Sequence, residues 1–317
     1  MRNLYHFSAL VLLISCFFVA KPASAQNWKG RLYTPTQFVR LGDLYFIVDC
    51  WHNRILYSPT LQPDISRWKL LDDDLAGPHS IDTNGRLVVV EDTGRHTLKV
   101  YLRGGMHFKH IQTIDNVGGR PHRVIFDKPT NSFYVIGSTT QTISRLTARE
   151  DGTGLNLLYT KTLAFLEGAY TRSMTIIDDA MVFVSGPGKV IKTTYRDDSY
   201  RVLEEYTVPE GLGSMNDVFY SGNYFYLTAT PTRIIRVKTL DDLKQGVFED
   251  VYEKLGLKGT PYYLYQQGRR IFVPQITPYS GIISFREEGD EIADLRVHFD
   301  YGLPTEEDKT ELKRLPK

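Results

Sequence analysis

Six stretches of this chain repeat one pattern, and that repeat constrains the fold more than any other feature of the sequence. Residues 36–58 (TQFVRLGDLYFIVDCWHNRILYS) and 79–101 (HSIDTNGRLVVVEDTGRHTLKVY) superimpose feature by feature. Each has a short apolar strand, a Gly turn, a second apolar strand ending in Asp49 or Asp92, a polar loop and a third strand. The pattern recurs with weaker loops from His122, Met174, Asn216 and Tyr262, so the starts lie 43, 43, 52, 42 and 46 residues apart. That period, with β-branched and aromatic runs between turn residues, matches propeller blades better than any helical solenoid. Residues 106–115, 155–163 and 201–208 alternate in the strand manner and supply a fourth, outer strand, while 240–257 reads as a short helix and then a strand. The expected architecture is all-β: a six-bladed β-propeller of four-stranded antiparallel blades over residues 26–303.

The ends of the chain bear on its compartment. Arg2, an apolar run over residues 4–20 and the small-x-small site Ala23-Ser24-Ala25 read as a cleaved signal peptide, residues 1–25. The run is short for a bilayer span, and Lys21-Pro22 follows it at once. Leu13-Ile14-Ser15-Cys16 also resembles a bacterial lipoprotein box, which would put a lipid on Cys16. Either route gives a secreted or periplasmic protein with no transmembrane segment in the mature chain. Losing residues 1–25 removes Arg2 and Lys21 and leaves 36 basic against 37 acidic side chains, a formal charge of −1. That balance argues against a nucleic-acid partner. Cys50 is then the one remaining thiol, so no intramolecular disulfide forms. Residues 304–317 form a charged C-terminal tail with little to bury, expected to be frayed or a loosely held helix.

Val48-Asp49-Cys50-Trp51-His52-Asn53-Arg54-Ile55 resembles the middle of an NHL repeat, in which a strand ends in Val-x-Asp and a loop ending in Asn-x-Arg-Ile starts the next strand. Here the Asn and Arg are adjacent. Gly77-Pro78-His79 together with Asp92-Thr93-Gly94-Arg95-His96 resembles the same repeat. The likeness fades in blades three to six, which keep the strands and lose the Asp and Arg. It implies the propeller fold; it does not imply a function, because this scaffold carries both binding sites and enzymes.

In such a fold the innermost strands begin at one face, so equivalent repeat positions form a ring around the channel mouth. The sequence register makes that ring Thr36, His79, His122, Met174, Asn216 and Tyr262. The apolar residues two places on (Phe38, Ile81, Val124, Ile176, Val218, Leu264) are expected deeper along the bore by period-two alternation. The loops between second and third strands bring Trp51, His52, Arg95, His96, Gln141 and Tyr279 around the mouth. A polar ring at a concave, aromatic-rimmed mouth is the default binding site of the fold. His79, His122 and Asn216 are also a candidate ligand set for a divalent metal, although zinc prefers a further nitrogen, sulfur or carboxylate. Channel-lining histidines bonded to water are the plain alternative.

Two enzyme families on similar scaffolds give a comparison. Gluconolactonase-type lactonases hold a metal with a Glu from an early blade; Asn216 and Asp217 fit the later part, but Thr36 stands at the first ring position. Peptidyl-hydroxyglycine amidating lyases use three channel histidines with a tyrosine and an arginine. His79, His122, Tyr262 and Arg123 or Arg172 match, and the third histidine is missing unless His52 or His96 reaches inward.

Other chemistry is set aside by its spacing. No Gly-x-Ser-x-Gly elbow occurs, Asp151-Gly152-Thr153-Gly154 lacks the lysine of a phosphate loop, and Asp72-Asp73-Asp74 lacks the EF-hand framework. Most of the 20 tyrosines and 16 phenylalanines fall in strands, where they pack blade on blade. The expected function is binding of a small molecule, peptide, glycan or envelope protein at the channel face. The alternative is a metal-dependent hydrolase or lyase on the same ring, lactonase-like or amidating-lyase-like.

Overall fold

The computed structural model describes residues 30–186, 188–306, 308 and 309. The expected signal peptide, Cys16 and most of the expected tail lie outside them. Six small antiparallel sheets follow one another along the chain, each with its strands in sequence order. Blade 1 runs through Pro35–Leu41, Leu44–Asp49, Arg54–Ser58 and Lys69–Asp72. Blade 2 uses Ile81–Thr83, Leu87–Asp92, Thr97–Gly104 and His107–Ile114, and blade 3 uses Pro121–Asp127, Ser132–Gly137, Thr142–Ala148 and Leu155–Thr162. Tyr170–Ile177, Ala180–Gly186, Lys189–Thr193 and Val202–Thr207 make blade 4. Blade 5 has Met215–Tyr220, Phe225–Ala229, Arg233–Val237, a helical turn Asp241–Lys244 and the short outer strand Glu249–Asp250. In blade 6 the inner strand is split into Thr260–Pro261 and Tyr265–Gln267, followed by Arg270–Ile276, Ser280–Glu288 and Glu291–Gly302. No helix among the described residues is long and apolar enough to cross a membrane.

The core is divided among the blade interfaces. Six apolar clusters form, one between each neighbouring pair of blades. The sixth closes the ring: Phe38, Ile47 and Leu56 of blade 1 meet Phe272, Ile282 and Phe299 of blade 6, with Leu32 and Trp68 completing the cluster. Closure therefore needs no shared strand. Arg31 Nη2 adds a hydrogen bond to Tyr301 O at 2.7 Å across the same seam.

The inner strands carry the detail that positions the site. Pairing with the second strand skips one residue at Thr36, His122, Arg172 and Asn216. Such a bulge adds a residue to one strand and re-aims side chains. On blade 4 the skipped residue is Arg172, so the ring position there is Arg172 and not Met174. Met174 is fully buried among Tyr134, Met181 and Phe183. The Met-Thr-Ile-Ile run hides this register, since either alignment puts an apolar residue inside.

The bulge also corrects the expected lining of the bore. Phe38, Ile81, Val124, Val218 and Leu264 each enter a different interblade cluster instead of the channel, and Ile176 packs, partly buried, against a sixth, the cluster that holds Met174. In blades 1, 3, 4 and 5 the extra residue flips the alternation, so the position after the ring residue (Gln37, Arg123, Ser173, Asp217) faces the axis; Ser80 and Tyr263 hold the equivalent positions in blades 2 and 6. These side chains cover the bare edge of the next inner strand, whose amides would otherwise go unpaired. Gln37 Oε1 accepts from Ile81 N at 2.7 Å, Ser80 Oγ from Val124 N at 2.8 Å and Asp217 Oδ2 from Leu264 N at 2.9 Å.

Candidate functional site

The ring residues gather at the channel mouth. The imidazoles of His79 and His122 stack with centroids 3.8 Å apart, and Tyr262 lies 6.0 Å from the first and 6.3 Å from the second. Tyr170, two residues before Arg172, meets His122 edge-on at 5.9 Å. Thr36 joins blade 1 to the group through a 2.8 Å hydrogen bond from its hydroxyl to His79 O. Beside His79 opens a cavity of about 150 Å³ lined by Cys50, Trp51, Gly77, Thr93, Gly94 and Arg120.

Hydrogen bonds fix the tautomer of both histidines. Thr93 Oγ1 donates its proton to Pro121 O at 2.7 Å, so it accepts from His79 Nδ1 at 3.1 Å. Tyr263 donates its hydroxyl proton to the backbone, with His122 O at 2.9 Å and Arg172 O at 2.7 Å, and so accepts from His122 Nδ1 at 2.8 Å. A neutral imidazole that carries its proton on Nδ1 presents Nε2 as an acceptor. Cys50 Sγ, a weak donor, lies 3.7 Å from Nε2 of His79. Burial, reinforced by the charges of Arg120 and Arg172, drives the pKa of His79 down to about 3. The same burial, with His79 and both arginines, holds His122 well below the ordinary histidine value.

The charge at this mouth is positive. Arg120 Nε donates to Tyr170 OH at 3.3 Å, while Arg172 donates to Ser214 Oγ at 3.0 Å and sits 4.9 Å above the Tyr170 ring. Arg123 lies below, 4.2 Å from the centre of the Tyr263 ring, with Nε and Nη1 buried and unpartnered. None of the three takes part in an ion pair among the described residues. Three acids lie near Arg123: burial raises the pKa of Asp217, of Asp82 to about 6, and of Glu91 well above the usual carboxylate range, while the Arg123 charge pulls each of them back down. Glu91 spends one oxygen on the amides of His79 at 2.7 Å and Ser80 at 2.5 Å, and its other oxygen has no partner. Burial likewise keeps Cys50 protonated by raising its thiol pKa well above normal.

The other residues expected around the mouth are placed more widely. Trp51 lines the cavity and packs edge-on against Tyr33 at 5.2 Å. His52 is tied at both nitrogens, Nδ1 to Asp49 at 2.7 Å and Nε2 to Asp308 at 3.2 Å, so the beginning of the expected tail is anchored here. Arg95 bridges Asp74 and Asp92. His96 supports the mouth indirectly, accepting from Arg120 N at 2.8 Å. Gln141 caps Thr139 O and Ala169 O. Tyr279 bonds Asp300 and stacks under Lys258. Asn216 turns to Pro261 O at 3.1 Å and Thr230 Oγ1 at 3.3 Å.

For a metal, the available donors are Nε2 of His79 and His122. Two imidazoles sharing one tetrahedral ion hold their centres about 5 Å apart, wider than the observed stack. Among the described residues no group of three or more His, Cys, Asp or Glu side chains is arranged to hold an ion. The two arginines further favour an anion over a cation. Arg120 and Tyr170 were missed in the sequence; the signal was Gly118-Gly119-Arg120-Pro121, a turn whose first glycine has φ +87° and no room for a Cβ beside Thr142.

No family model matches the chain, and no curated protein matches it in sequence. Solved structures do resemble it. A candidate 6-phosphogluconolactonase from Bacteroides fragilis aligns with TM-score 0.59 at 15% identity, over 83% of this chain and 82% of its own. One from Bacteroides uniformis aligns with TM-score 0.62 at 14% identity, over 87% and 89%. A chain of a nidogen/laminin complex aligns with TM-score 0.55 at 14% identity, over 81% and 96%. At such identities the likeness establishes the propeller fold and nothing of function.

Proposed function

We propose that this chain is an exported, NHL-like propeller that binds a small anionic ligand at its channel mouth, with Arg120 and Arg172 as the charge-recognising groups. The observation that carries the reading is that these two arginines, with Arg123 beneath them, stand around the ring of His79, His122 and Tyr262 with no ion-pair partner among the described residues. Arg120 is exposed and Arg172 half-buried, and a guanidinium donates paired hydrogen bonds whose geometry suits carboxylate and phosphate. The kinship with NHL repeats is supported by the repeat aspartates, since Asp49 and Asp92 both pin the segment entering their blade and pair with a following arginine.

Calorimetric titration of the purified protein with cyclohexanecarboxylate and inorganic phosphate at low salt tests the reading. Saturable binding is expected, and it should vanish in an Arg120→Met, Arg172→Met variant that keeps the parent's thermal midpoint. Indifference of the parent protein to both anions would overturn it. A metal-dependent hydrolytic role for the same ring is the second reading, favoured by two neutral imidazoles that present Nε2 lone pairs at the mouth. Chelator-sensitive turnover of lactones or esters would establish it.

A further inference from the structure

The fixed tautomers say more about the ligand than its charge. Nδ1 of His79 is spent on Thr93 and Nδ1 of His122 on Tyr263, so each ring offers the mouth a single polar atom, Nε2, and that atom only accepts. The one donor near His79 Nε2 is the thiol of Cys50 at 3.7 Å, which is long and weak; His122 Nε2 has no partner among the described residues. Neither ring gains a proton under ordinary conditions, since burial and the adjacent arginines oppose it. A ligand that satisfies this mouth must therefore present two kinds of group at once: an anionic group for Arg120 and Arg172, and hydroxyl donors for the two Nε2 atoms. The space beside His79, about 150 Å³ and lined by His79 and Arg120 but not by His122 or Arg172, is well below the roughly 300–1,000 Å³ of sites for drug-sized ligands. It seats one small unit.

We infer that the ligand is a hydroxylated carboxylate of monosaccharide size, a sugar acid or the sugar-acid end of a longer chain, whose carboxylate meets Arg120 and Arg172 and whose hydroxyls donate to His79 Nε2 and His122 Nε2. This rests on the anion-binding reading above. A site that accepts from a ligand hydroxyl discriminates strongly against the analogue that lacks it, because the buried acceptor is then left dry and unpaired.

The test compares three ligands of one ring size by calorimetry on the purified protein: D-glucuronate, with charge and hydroxyls; cyclohexanecarboxylate, with charge alone; and D-glucose, with hydroxyls alone. Glucuronate should bind about tenfold or more tightly than either of the others. His79→Phe and His122→Phe should each bring glucuronate down towards the level of cyclohexanecarboxylate and leave the latter unchanged. Equal affinity for glucuronate and cyclohexanecarboxylate in the parent protein would overturn the inference and leave the anion site standing. Binding of glucose as tight as glucuronate, or of no ligand at all, would overturn both. The comparison within the parent protein decides the question even if a histidine variant fails to fold.

Discussion

Replacing Asp49 by alanine removes the acceptor of five hydrogen bonds, and the structure says how much that should cost. Oδ1 accepts from the amides of Tyr33 at 3.0 Å and Thr34 at 2.9 Å; Oδ2 accepts from His52 Nδ1 at 2.7 Å and from Arg54 Nε and Nη2 at 3.0 and 2.8 Å. Asp49 is fully buried and the Arg54 side chain is 2% exposed. Breaking a buried ion pair costs about 3–5 kcal/mol, and each buried amide left unpaired about 1–3 kcal/mol. These terms overlap, so about 5 kcal/mol is expected for Asp49→Ala. Asp92 is the repeat-equivalent residue and gives the internal control. It accepts from one amide, Ala76 N at 2.7 Å, and pairs with Arg95, whose side chain is 37% exposed and therefore worth little. Asp92→Ala should cost about 2 kcal/mol. Asp49→Asn, which retains an acceptor for the two amides and loses the charge, should fall between them. Urea unfolding followed by tryptophan fluorescence and far-ultraviolet dichroism measures all three at pH 7, provided the denaturant slope is unchanged. An Asp92→Ala variant as unstable as Asp49→Ala would refute the reasoning, because the two sites would then differ in geometry and not in energy. The pH dependence supplies a second check. Burial alone would raise the Asp49 pKa, but His52, Arg54 and the amides hold it below the ordinary value. Its stabilisation is thus complete above the unfolded carboxylate pKa of about 4 and is lost as pH falls below it, a loss Asp49→Ala should abolish.

Three further outcomes follow from the same geometry. Asp82 has the opposite sign to Asp49: burial raises its folded pKa to about 6, so from about pH 4 to 6 the unfolded chain has released a proton the folded one keeps, and stability falls as pH rises. Asp82→Asn should flatten that part of the stability profile, and an unchanged slope in the urea midpoints would count against the raised value. Because His79 titrates near pH 3, D-glucuronate affinity should stay flat between about pH 5 and 8; a calorimetric inflection near the ordinary histidine value of about 6.5 would show that the ring histidines are not held neutral. Gly94→Ala places a Cβ 2.9 Å from Cβ of Ala76 and 3.0 Å from its carbonyl oxygen, in the loop that lines the mouth. A loss of about 1–3 kcal/mol is expected from the overpacking, and a midpoint within experimental error of the parent would show that the loop yields freely.

Strand, turn and repeat were legible because each blade buries its faces against two neighbours, and burial enforces period-two apolar alternation that any single blade reveals. The fifth blade was less legible, because residues 240–257 lack that alternation and only allow a short helix before a strand; the structure has a helical turn at Asp241–Lys244 and a strand at Glu249–Asp250. Five of the six ring residues followed from the repeat alone. The sixth did not, because alternation cannot see a bulge: Arg172 is polar and outside the apolar run, while Met174 looks like the natural strand start. The identity of Arg120 as a mouth residue was hidden more deeply. It sits in a loop, at φ +51°, held from below by His96, and only the Gly118-Gly119-Arg120-Pro121 turn marks its position in the sequence. His52 and Arg95 illustrate the converse, since repeat position put them at the mouth while local carboxylates consume their polar atoms.

The bulge connects these successes and failures. An inner strand with unbroken alternation would send every second side chain to the bore and the rest to the interblade core, leaving one residue of each strand at the mouth with little freedom in direction. An added residue at that point frees two successive side chains to face the axis, and in this chain they divide the work. The first of each pair (Thr36, His122, Arg172, Asn216) stays at the mouth, while the second (Gln37, Arg123, Ser173, Asp217) reaches along the bore to neighbouring strands or stacks within it. The cross-blade hydrogen bonds of the second set fix the rim on which the first set stands. Tyr263 shows how close the coupling is: its hydroxyl holds the backbone of His122 and Arg172 and also dictates the His122 tautomer. The tautomer of His122 at the mouth is in this sense decided one layer below it, by Tyr263.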